Sequence, residues 1–159
     1  MNSAEEKLQQ LGLTLPKPQK PAANYVPVVR TGNLLFLSGV GPIQIQDTKT
    51  SGKLGEDLDI NEGYKAAQTV GINLLARLKA ELGDLDKVKR IVKLLVMVNA
   101  TPDFTDHPAV ANGCSDLMIK VFGEIGHHSR SAVGMSSLPF NIPVEIEMIV
   151  ETEDNPITY

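Results

Sequence analysis

Apolar residues recur at helical spacing in two long segments of the chain. The first runs from Asp59, a residue type that caps helix starts, to Gly83, a typical helix stop. Its apolar stripe comprises Tyr64, Ala67, Val70, Leu74, Leu75, Leu78 and Leu82. The second covers about residues 106–125, with an apolar face of Val110, Cys114, Leu117, Met118, Val121 and Phe122. The pattern predicts two helices that each bury one face.

The N-terminus predicts a third, shorter helix followed by an irregular linker. Ser3 can cap this helix, with Glu6 at the capping-box position. Gly12 can end it after Leu11. The prolines that follow, Pro16, Pro18 and Pro21, each fix φ and lack a backbone N–H, so they disfavour a regular element. We therefore assign residues 1–23 to a helix and a proline-rich linker, before a core of about residues 24–152.

The remaining apolar runs predict strands. Residues 25–30 and 34–38 are expected to form a hairpin around Thr31-Gly32-Asn33. A run rich in Val, Ile and Leu covers residues 88–98, and two further strands are expected at 130–138 and 144–151. Residues 41–58 are expected to form a surface loop. The core order is therefore ββαβαββ. The whole chain, 1–159, is predicted to be one α+β domain, a sandwich in which two helices cover one sheet.

The predicted sheet is too apolar to leave one face in water. Apolar strand residues include Leu35, Leu94, Val96, Val133 and Met135, and the run at 88–98 is apolar on both faces. The helices cover only one face, so an oligomer that closes sheet against sheet would bury the other. A site at that seam would be shared between subunits.

Composition narrows the class of protein. The chain has 159 residues, 42% hydrophobic and 21% charged, as in an ordinary globular domain. A net charge of −4, a pI near 5.3, 4% aromatics and no Trp argue against nucleic-acid binding. No apolar run is long enough to cross a membrane, and the polar N-terminus is unlike a targeting peptide. The one cysteine, Cys114, suits a reducing compartment, and we expect a cytoplasmic protein.

Arg130 and Glu145 are the candidate chemical groups. Arg130 lies among apolar strand residues, where its charge needs an anion. In the last strand, Glu145, Glu147 and Glu151 alternate with Val144, Ile146, Met148 and Val150, which puts the acids on one face. Two interpretations stay open. Arg130 either binds a carboxylate or phosphate ligand, or forms a structural ion pair with Glu145 or Glu147 across adjacent strands.

No metal site is predicted from the other reactive residues. Cys114 lies on an apolar helical stripe and is expected in the core. His107, His127 and His128 lack the spacing to Cys or acidic residues that is typical of zinc sites, although His128 could reach the mouth of a cleft. Gly39-Val40-Gly41-Pro42 lacks the Lys-Ser/Thr of a phosphate-binding loop.

An ordered set of short motifs resembles one known family. The set comprises Tyr25-Val26, Leu37-Ser38-Gly39, the run at 88–98, Asn112, Arg130-Ser131-Ala132-Val133, Leu138-Pro139 and Val144-Glu145-Ile146-Glu147. These motifs span about residues 24–152, most of the chain. Their order and spacing resemble the Rid family, the reactive intermediate deaminases also called YjgF or L-PSP endoribonuclease-like proteins.

The resemblance implies a fold and an activity. The fold would be chorismate-mutase-like, assembled as a homotrimer with clefts between neighbouring subunits. The activity would be hydrolysis of 2-imino or enamino acids to 2-oxo acids and ammonia, as in a 2-iminobutanoate/2-iminopropanoate deaminase. The reaction would need no cofactor. The partners would be small 2-imino or 2-oxo acids and further copies of the chain, not a membrane.

The resemblance also implies roles for single residues. Arg130 would bind the substrate carboxylate, and Glu145 would lie near the water and the imine. The expected substrate-binding residues are Tyr25, Ser38, Gly39, Asn112 and the backbone of Ala132. These assignments rest on matching positions in the family's motifs.

The chain departs from the family pattern at several positions. Val40 follows Ser38-Gly39 where the family has Gln, and His128 stands where it has Pro. The loop at 41–58 is longer than in short members, and the N-terminal helix is additional. These features indicate a longer-chain branch. Two other functions stay open: the endoribonuclease activity of the family's older name, and non-catalytic binding of small carboxylates such as 2-oxo acids.

Overall fold

The computed structural model describes residues 3–18, 20–21, 23–43 and 48–153. Its helices are α1 (Ala4–Gln10), α2 (Ile60–Leu82) and α3 (His107–Phe122). Its strands are β1 (Val28–Thr31), β2 (Leu34–Val40), β3 (Val88–Asn99), β4 (Ser129–Met135) and β5 (Val144–Thr152). Short 3₁₀ turns lie at Leu85–Lys87, Gly123–Gly126 and Pro139–Asn141. After α1 the order is ββαβαββ, so the predicted α+β fold is confirmed.

Local capping fixes the starts of α1 and α2. The Ser3 side chain accepts a hydrogen bond from the backbone N–H of Glu6 at 3.1 Å, and the Glu6 carboxylate accepts one from the Ser3 N–H at 2.8 Å. Asp59 and Glu62 form the same reciprocal pair at the start of α2, at 2.8 and 2.9 Å. Gly83 ends α2 with a left-handed backbone, φ 76°. Both predicted capping signals are therefore used.

Strand β3 lies between the two C-terminal strands. Within the described residues the sheet order is β1-β2-β5-β3-β4. β3 pairs antiparallel with β5 and parallel with β4, and β2 pairs antiparallel with both β1 and β5. β4 and β5 follow one another along the chain but are not neighbours in the sheet. This separation decides which side chains can meet at the candidate site.

Helices α2 and α3 cover one face of the sheet and build the core. Strand side chains on that face are fully buried or nearly so: Leu35, Leu94, Val96, Ile146 and Met148. On the opposite face, several apolar side chains stay exposed, with Val29 at 53%, Phe36 at 40% and Val133 at 38%. Burying such a surface against another protein would be favourable. The sequence predicted an apolar sheet surface beyond the reach of the helices, and these residues form one. The prediction was wrong for Leu35, Leu94 and Val96, because strand alternation turns these three side chains toward the helices.

The predicted loop at 41–58 is anchored to the sheet where it is described. Leu54 is fully buried and pairs with Ala100 just after β3. The backbone N–H of Gly52 donates to the carbonyl of Asn141 at 2.8 Å. Residues 44–47 of this loop, Gln19 and Ala22 of the linker and the chain ends at 1–2 and 154–159 lie outside the described residues. Among the helices described, none is long and apolar enough to cross a membrane.

The crossing of α2 and α3 depends on a close backbone approach at Gly113. A Cβ atom at Gly113 would lie 2.0 Å from the carbonyl oxygen of Tyr64, so no side chain fits between the helices. Alanine favours a helix over glycine by about 1 kcal/mol, but here the overlap must be relieved by moving one helix. We therefore expect Gly113→Ala to lower the free energy of unfolding by about 1–3 kcal/mol.

Urea unfolding followed by circular dichroism measures this change. Lys120→Ala, at an exposed position on the same helix, is the matched control and should change the stability by less than about 0.5 kcal/mol. A Gly113→Ala protein as stable as the wild type would contradict the close contact.

Candidate functional site

A cavity of about 400 Å³ lies where β2 ends and β5 begins. Its walls include Tyr25, Gly39, Arg77, Phe140, Ile142 and Glu145. The volume falls in the range of small-molecule sites. Three of the predicted site residues, Tyr25, Gly39 and Glu145, therefore share one cavity. Tyr25 is 46% exposed at its edge, while Glu145 is half-buried.

Gly39 makes room for the carboxylate of Glu145. The pairing of β2 with β5 shifts register between Leu37 and Val40, which marks a bulge in β2. A Cβ atom at Gly39 would lie 3.0 Å from the carboxyl carbon of Glu145. Any larger residue would displace that carboxylate. Burial, and then the charge of Glu147, raise the pKa of Glu145 above its ordinary value.

Ser38 is held by contacts within the chain. Its hydroxyl donates to the carbonyl of Val26 at 2.8 Å, and its own carbonyl accepts a hydrogen bond from Nη1 of Arg77 at 3.0 Å. Its hydroxyl proton is therefore already used, and these contacts fix the β2 bulge. The predicted role of Ser38 as a substrate-binding residue stays a prediction.

Arg130 lies in a second cluster, between β4 and α3. Its Nη1 donates to Oδ1 of Asn112 at 2.8 Å and to Oγ of Ser115 at 3.0 Å. The structure thus brings together the predicted residues Arg130 and Asn112. Ser115 was missed by the sequence analysis, although its position three residues after Asn112 places it on the same side of the helix.

His128 extends this cluster and is held as a neutral side chain. Its Nδ1 lies 2.7 Å from the carbonyl oxygen of Gly126, so Nδ1 carries the proton. Its Nε2 lies 2.9 Å from Oγ of Ser115 and, in the neutral ring protonated on Nδ1, accepts the hydroxyl proton. Ser115 can then accept from Arg130 with a lone pair. Burial lowers the pKa of His128, and the positive charge of Arg130 lowers it further.

Ala132 lies two residues beyond Arg130 on β4 and packs partly buried against the core. β4 is an edge strand of the described sheet, so the outer side of its backbone has no strand partner in this part of the chain. That edge is where the predicted backbone contact of Ala132 with substrate would form. The contact itself stays a prediction.

Arg130 and Glu145 lie on opposite faces of the sheet within one chain. Arg130 pairs with Leu94 of β3, and Glu145 pairs with Met97 of the same strand. Side chains alternate along a strand and ladder partners share a face, so positions 94 and 97 project to opposite sides. Two strand spacings and three residues separate the two Cα atoms, roughly 14 Å.

This geometry overturns one predicted interpretation. A structural ion pair between Arg130 and Glu145 or Glu147 across adjacent strands is wrong, because β3 lies between β4 and β5. In the described part of the chain the ion pairs are Lys49–Glu62 and Lys79–Glu5, and neither includes Arg130.

The remaining reactive side chains do not form a metal site. Among the residues that the structure describes, no group of three or more His, Cys, Asp and Glu side chains is placed to hold a metal ion. Cys114 is fully buried, and burial raises the pKa of its thiol to about 12. It therefore stays protonated near neutral pH and is a core residue, as its helical stripe predicted.

Comparison with known proteins agrees with the fold and with the order of the motifs. The model of a family described as "YjgF/chorismate mutase-like, putative endoribonuclease" matches residues 5–151. This chain belongs to the YjgF family. The family resemblance that the ordered motifs indicated, including those at Arg130 and Glu145, is thus confirmed.

The similar proteins have different names and described activities. Protein TCP17 of Trypanosoma cruzi is 46% identical over 145 residues, which cover 91% of each chain. A 2-iminobutanoate/2-iminopropanoate deaminase of Dermatophagoides farinae is 28% identical over 142 residues, covering 89% of this chain and 95% of the mite protein. A solved structure from Shewanella oneidensis, of a protein described like the family as an endoribonuclease, has a TM-score of 0.90 at 33% identity. The match covers 94% of this chain and 99% of the Shewanella chain.

The pKa of His128 predicts how stability depends on pH. The folded protein binds a proton at His128 less readily than the unfolded chain, whose ordinary pKa is 6.5. The contribution of neutral His128 to the free energy of unfolding is therefore complete above the unfolded pKa. It is lost as the pH falls through the folded pKa. We expect the free energy of unfolding to fall less between about pH 7 and pH 5 in His128→Gln than in the wild type.

Urea titrations at several pH values measure this difference. His127→Gln, which changes an exposed histidine next in the chain, should keep the wild-type pH dependence. Glu145 acts in the opposite direction, since its raised pKa favours the protonated folded state, but it is common to all three proteins. Equal pH dependence in His128→Gln and the wild type would disprove the neutral, buried state of His128.

Proposed function

We propose that this YjgF-family protein hydrolyses reactive 2-imino and enamino acids to 2-oxo acids and ammonia. The proposed site lies between two subunits of a homotrimer, with Arg130 from one subunit and Glu145 from its neighbour. The state of Arg130 carries the proposal. Its guanidinium is held by a neutral amide and a neutral hydroxyl, those of Asn112 and Ser115, and no described carboxylate forms an ion pair with it. Its natural partner is therefore an anion from outside the chain.

The open face of the sheet supports a site between subunits. Exposed Val29, Phe36 and Val133 give this face an apolar surface that another copy of the chain could bury. At the edge of the Glu145 cavity, Phe140 is 87% exposed and has a left-handed backbone, φ 57°. A bulky exposed residue held in that conformation is typical of a contact or ligand site.

The residues suit hydrolysis of an imine. Arg130 binds the substrate's C1 carboxylate and fixes the orientation of C2. Glu145 accepts a proton from water, whose oxygen adds to C2 to give a carbinolamine. Glu145 returns that proton to nitrogen, then takes the hydroxyl proton of the carbinolamine and delivers it to nitrogen as the C2–N bond breaks. Ammonia leaves and C2 becomes a carbonyl carbon. One imine and one water give one 2-oxo acid and one ammonia, so no redox partner is needed. The raised pKa of Glu145 suits a group that takes and returns a proton.

Removing the cation tests the first role. We expect Arg130→Ala to lower kcat/KM for 2-iminopropanoate by about a hundredfold or more, because a charged substrate group loses its charge-assisted hydrogen bonds. An amino-acid oxidase can generate the imine in situ, while ammonia release above the spontaneous rate is followed.

The control for Arg130→Ala is Arg90→Ala, which removes an exposed cation from β3. It should keep the wild-type rate. Wild-type turnover in Arg130→Ala would disprove the assigned role. Binding of 2-oxobutanoate to the wild type without any turnover of imines would instead favour a carboxylate-binding module.

Mixing two inactive variants tests whether subunits share the site. Arg130→Ala and Glu145→Gln should each be inactive alone. If each site takes one residue from each of two subunits, trimers that contain both variants should recover about a third of the wild-type activity, because one of their three sites then contains both native residues. Co-expression with two affinity tags yields the mixed oligomers, and the imine assay measures the recovery.

Glu147→Gln is the matched control for Glu145→Gln, since Glu147 lies on the same face of β5, two residues farther along. It should stay active by itself. No recovery in the mixed oligomers would show that one chain supplies the whole site, and the proposed arrangement would fail.

A further inference from the structure

Arg77 is a buried cation that the proposed reaction does not use. It lies on α2, is only 8% exposed, and is flanked by the fully buried Leu74 and Leu78. Its Nη1 donates to the carbonyl of Ser38, and it belongs to neither ion pair found among the described residues. Burying an unpaired guanidinium is costly unless a ligand or a partner meets it.

Arg77 lines the cavity that contains Glu145. Among the residues that the structure describes, the charged ones lining this cavity are Lys20, Arg77 and Glu145, two cations and one carboxylate. A guanidinium has five N–H donors in a planar fork, and the Ser38 carbonyl uses one of them. The cavity, about 400 Å³, is large enough for a small organic acid. The excess positive charge favours a ligand with an anionic group in addition to the one that Arg130 binds.

We propose that Arg77 binds a second carboxylate of the substrate, on its side chain, and so selects 2-imino acids with acidic side chains. This inference rests on the proposed function, in which Arg130 of a neighbouring subunit binds the C1 carboxylate and Glu145 acts at C2. The imine carbon would then be held between two guanidinium groups, one from each subunit. Arg77 is a specificity-determining residue in this arrangement and takes no part in proton transfer.

The alternative is that Arg77 only supports the bulge of β2. Its hydrogen bond to Ser38 reaches the segment that places Gly39 against Glu145. A purely structural role would affect acidic and neutral ligands equally, because both depend on the same bulge. A role in specificity would change the ratio between them. The ratio is therefore the quantity to measure.

Binding of two stable product analogues tests the proposal without turnover. 2-Oxoglutarate and 2-oxopentanoate have equal chain lengths, but only the first has a side-chain carboxylate. Calorimetry with the intact oligomer should give at least about tenfold tighter binding of 2-oxoglutarate, as expected for charge-assisted hydrogen bonds. In Arg77→Gln this ratio should fall to about one, and Arg77→Lys should restore part of it.

Arg90→Gln is the matched control, since it removes one positive charge outside the cavity and should keep the wild-type ratio. The wild-type ratio tests the proposal even if Arg77→Gln does not fold. Equal affinity for the two acids, no binding of either, or an unchanged ratio in a folded Arg77→Gln protein would each overturn it.

Turnover separates this inference from the proposed function. Imines can be generated in situ from glutamate and from 2-aminopentanoate. The glutamate imine should have the higher kcat/KM, just as 2-oxoglutarate should bind more tightly than 2-oxopentanoate. Hydrolysis of both imines at similar kcat/KM would overturn the role of Arg77 and leave the deaminase function standing. A binding ratio that depends on Arg77, with no hydrolysis of any imine, would support the anion subsite and disprove the deaminase function.

Discussion

Strand alternation is the constraint on which the candidate site depends. Because β3 lies between β4 and β5, Arg130 projects toward the helices and Glu145 toward the opposite face. The cation and the carboxylate of one chain therefore cannot neutralise each other. Each group has its own surroundings: neutral side chains of α3 accept hydrogen bonds from the guanidinium, and the carboxyl group of Glu145 occupies the space that Gly39 leaves. A small anion can then interact with Arg130 without displacing an internal partner, which suits a ligand that must bind and leave.

Features encoded by neighbouring residues could be predicted from the sequence. The capping pairs at Ser3 and Asp59, the helix stop at Gly83 and the alternation of β5 each depend on residues a few positions apart. For the candidate site, the resemblance to the family implied one cleft that all seven predicted residues line. Within one chain the structure instead places Tyr25, Gly39 and Glu145 at one cavity, and Asn112 and Arg130 in a separate cluster. The single shared cleft stays a prediction.

The features that could not be predicted depend on contacts distant along the chain. Nothing in the run of β4 and β5 indicates that β3 separates them, because strand order is set by which edges the whole fold brings together. In the sequence, Arg77 looks like an ordinary polar position on an amphipathic helix. In the fold it is buried, donates to the carbonyl of Ser38 in the β2 bulge and lines the cavity. Ser115 likewise gains its partners only when α3 lies beside β4, where Arg130 and His128 both reach its hydroxyl.

The close approach at Gly39 links two positions that are far apart in the sequence. A hydrogen atom is the only substituent at 39 that leaves the carboxyl carbon of residue 145 where it is, since a methyl group would lie 3.0 Å from it. Natural variation at these positions is then expected to be correlated: a homologue with a bulkier residue at the first should have a shorter or relocated one at the second. The residue types at 39 and 145, compared together, would then separate related proteins that preserve this carboxylate from those that have lost it.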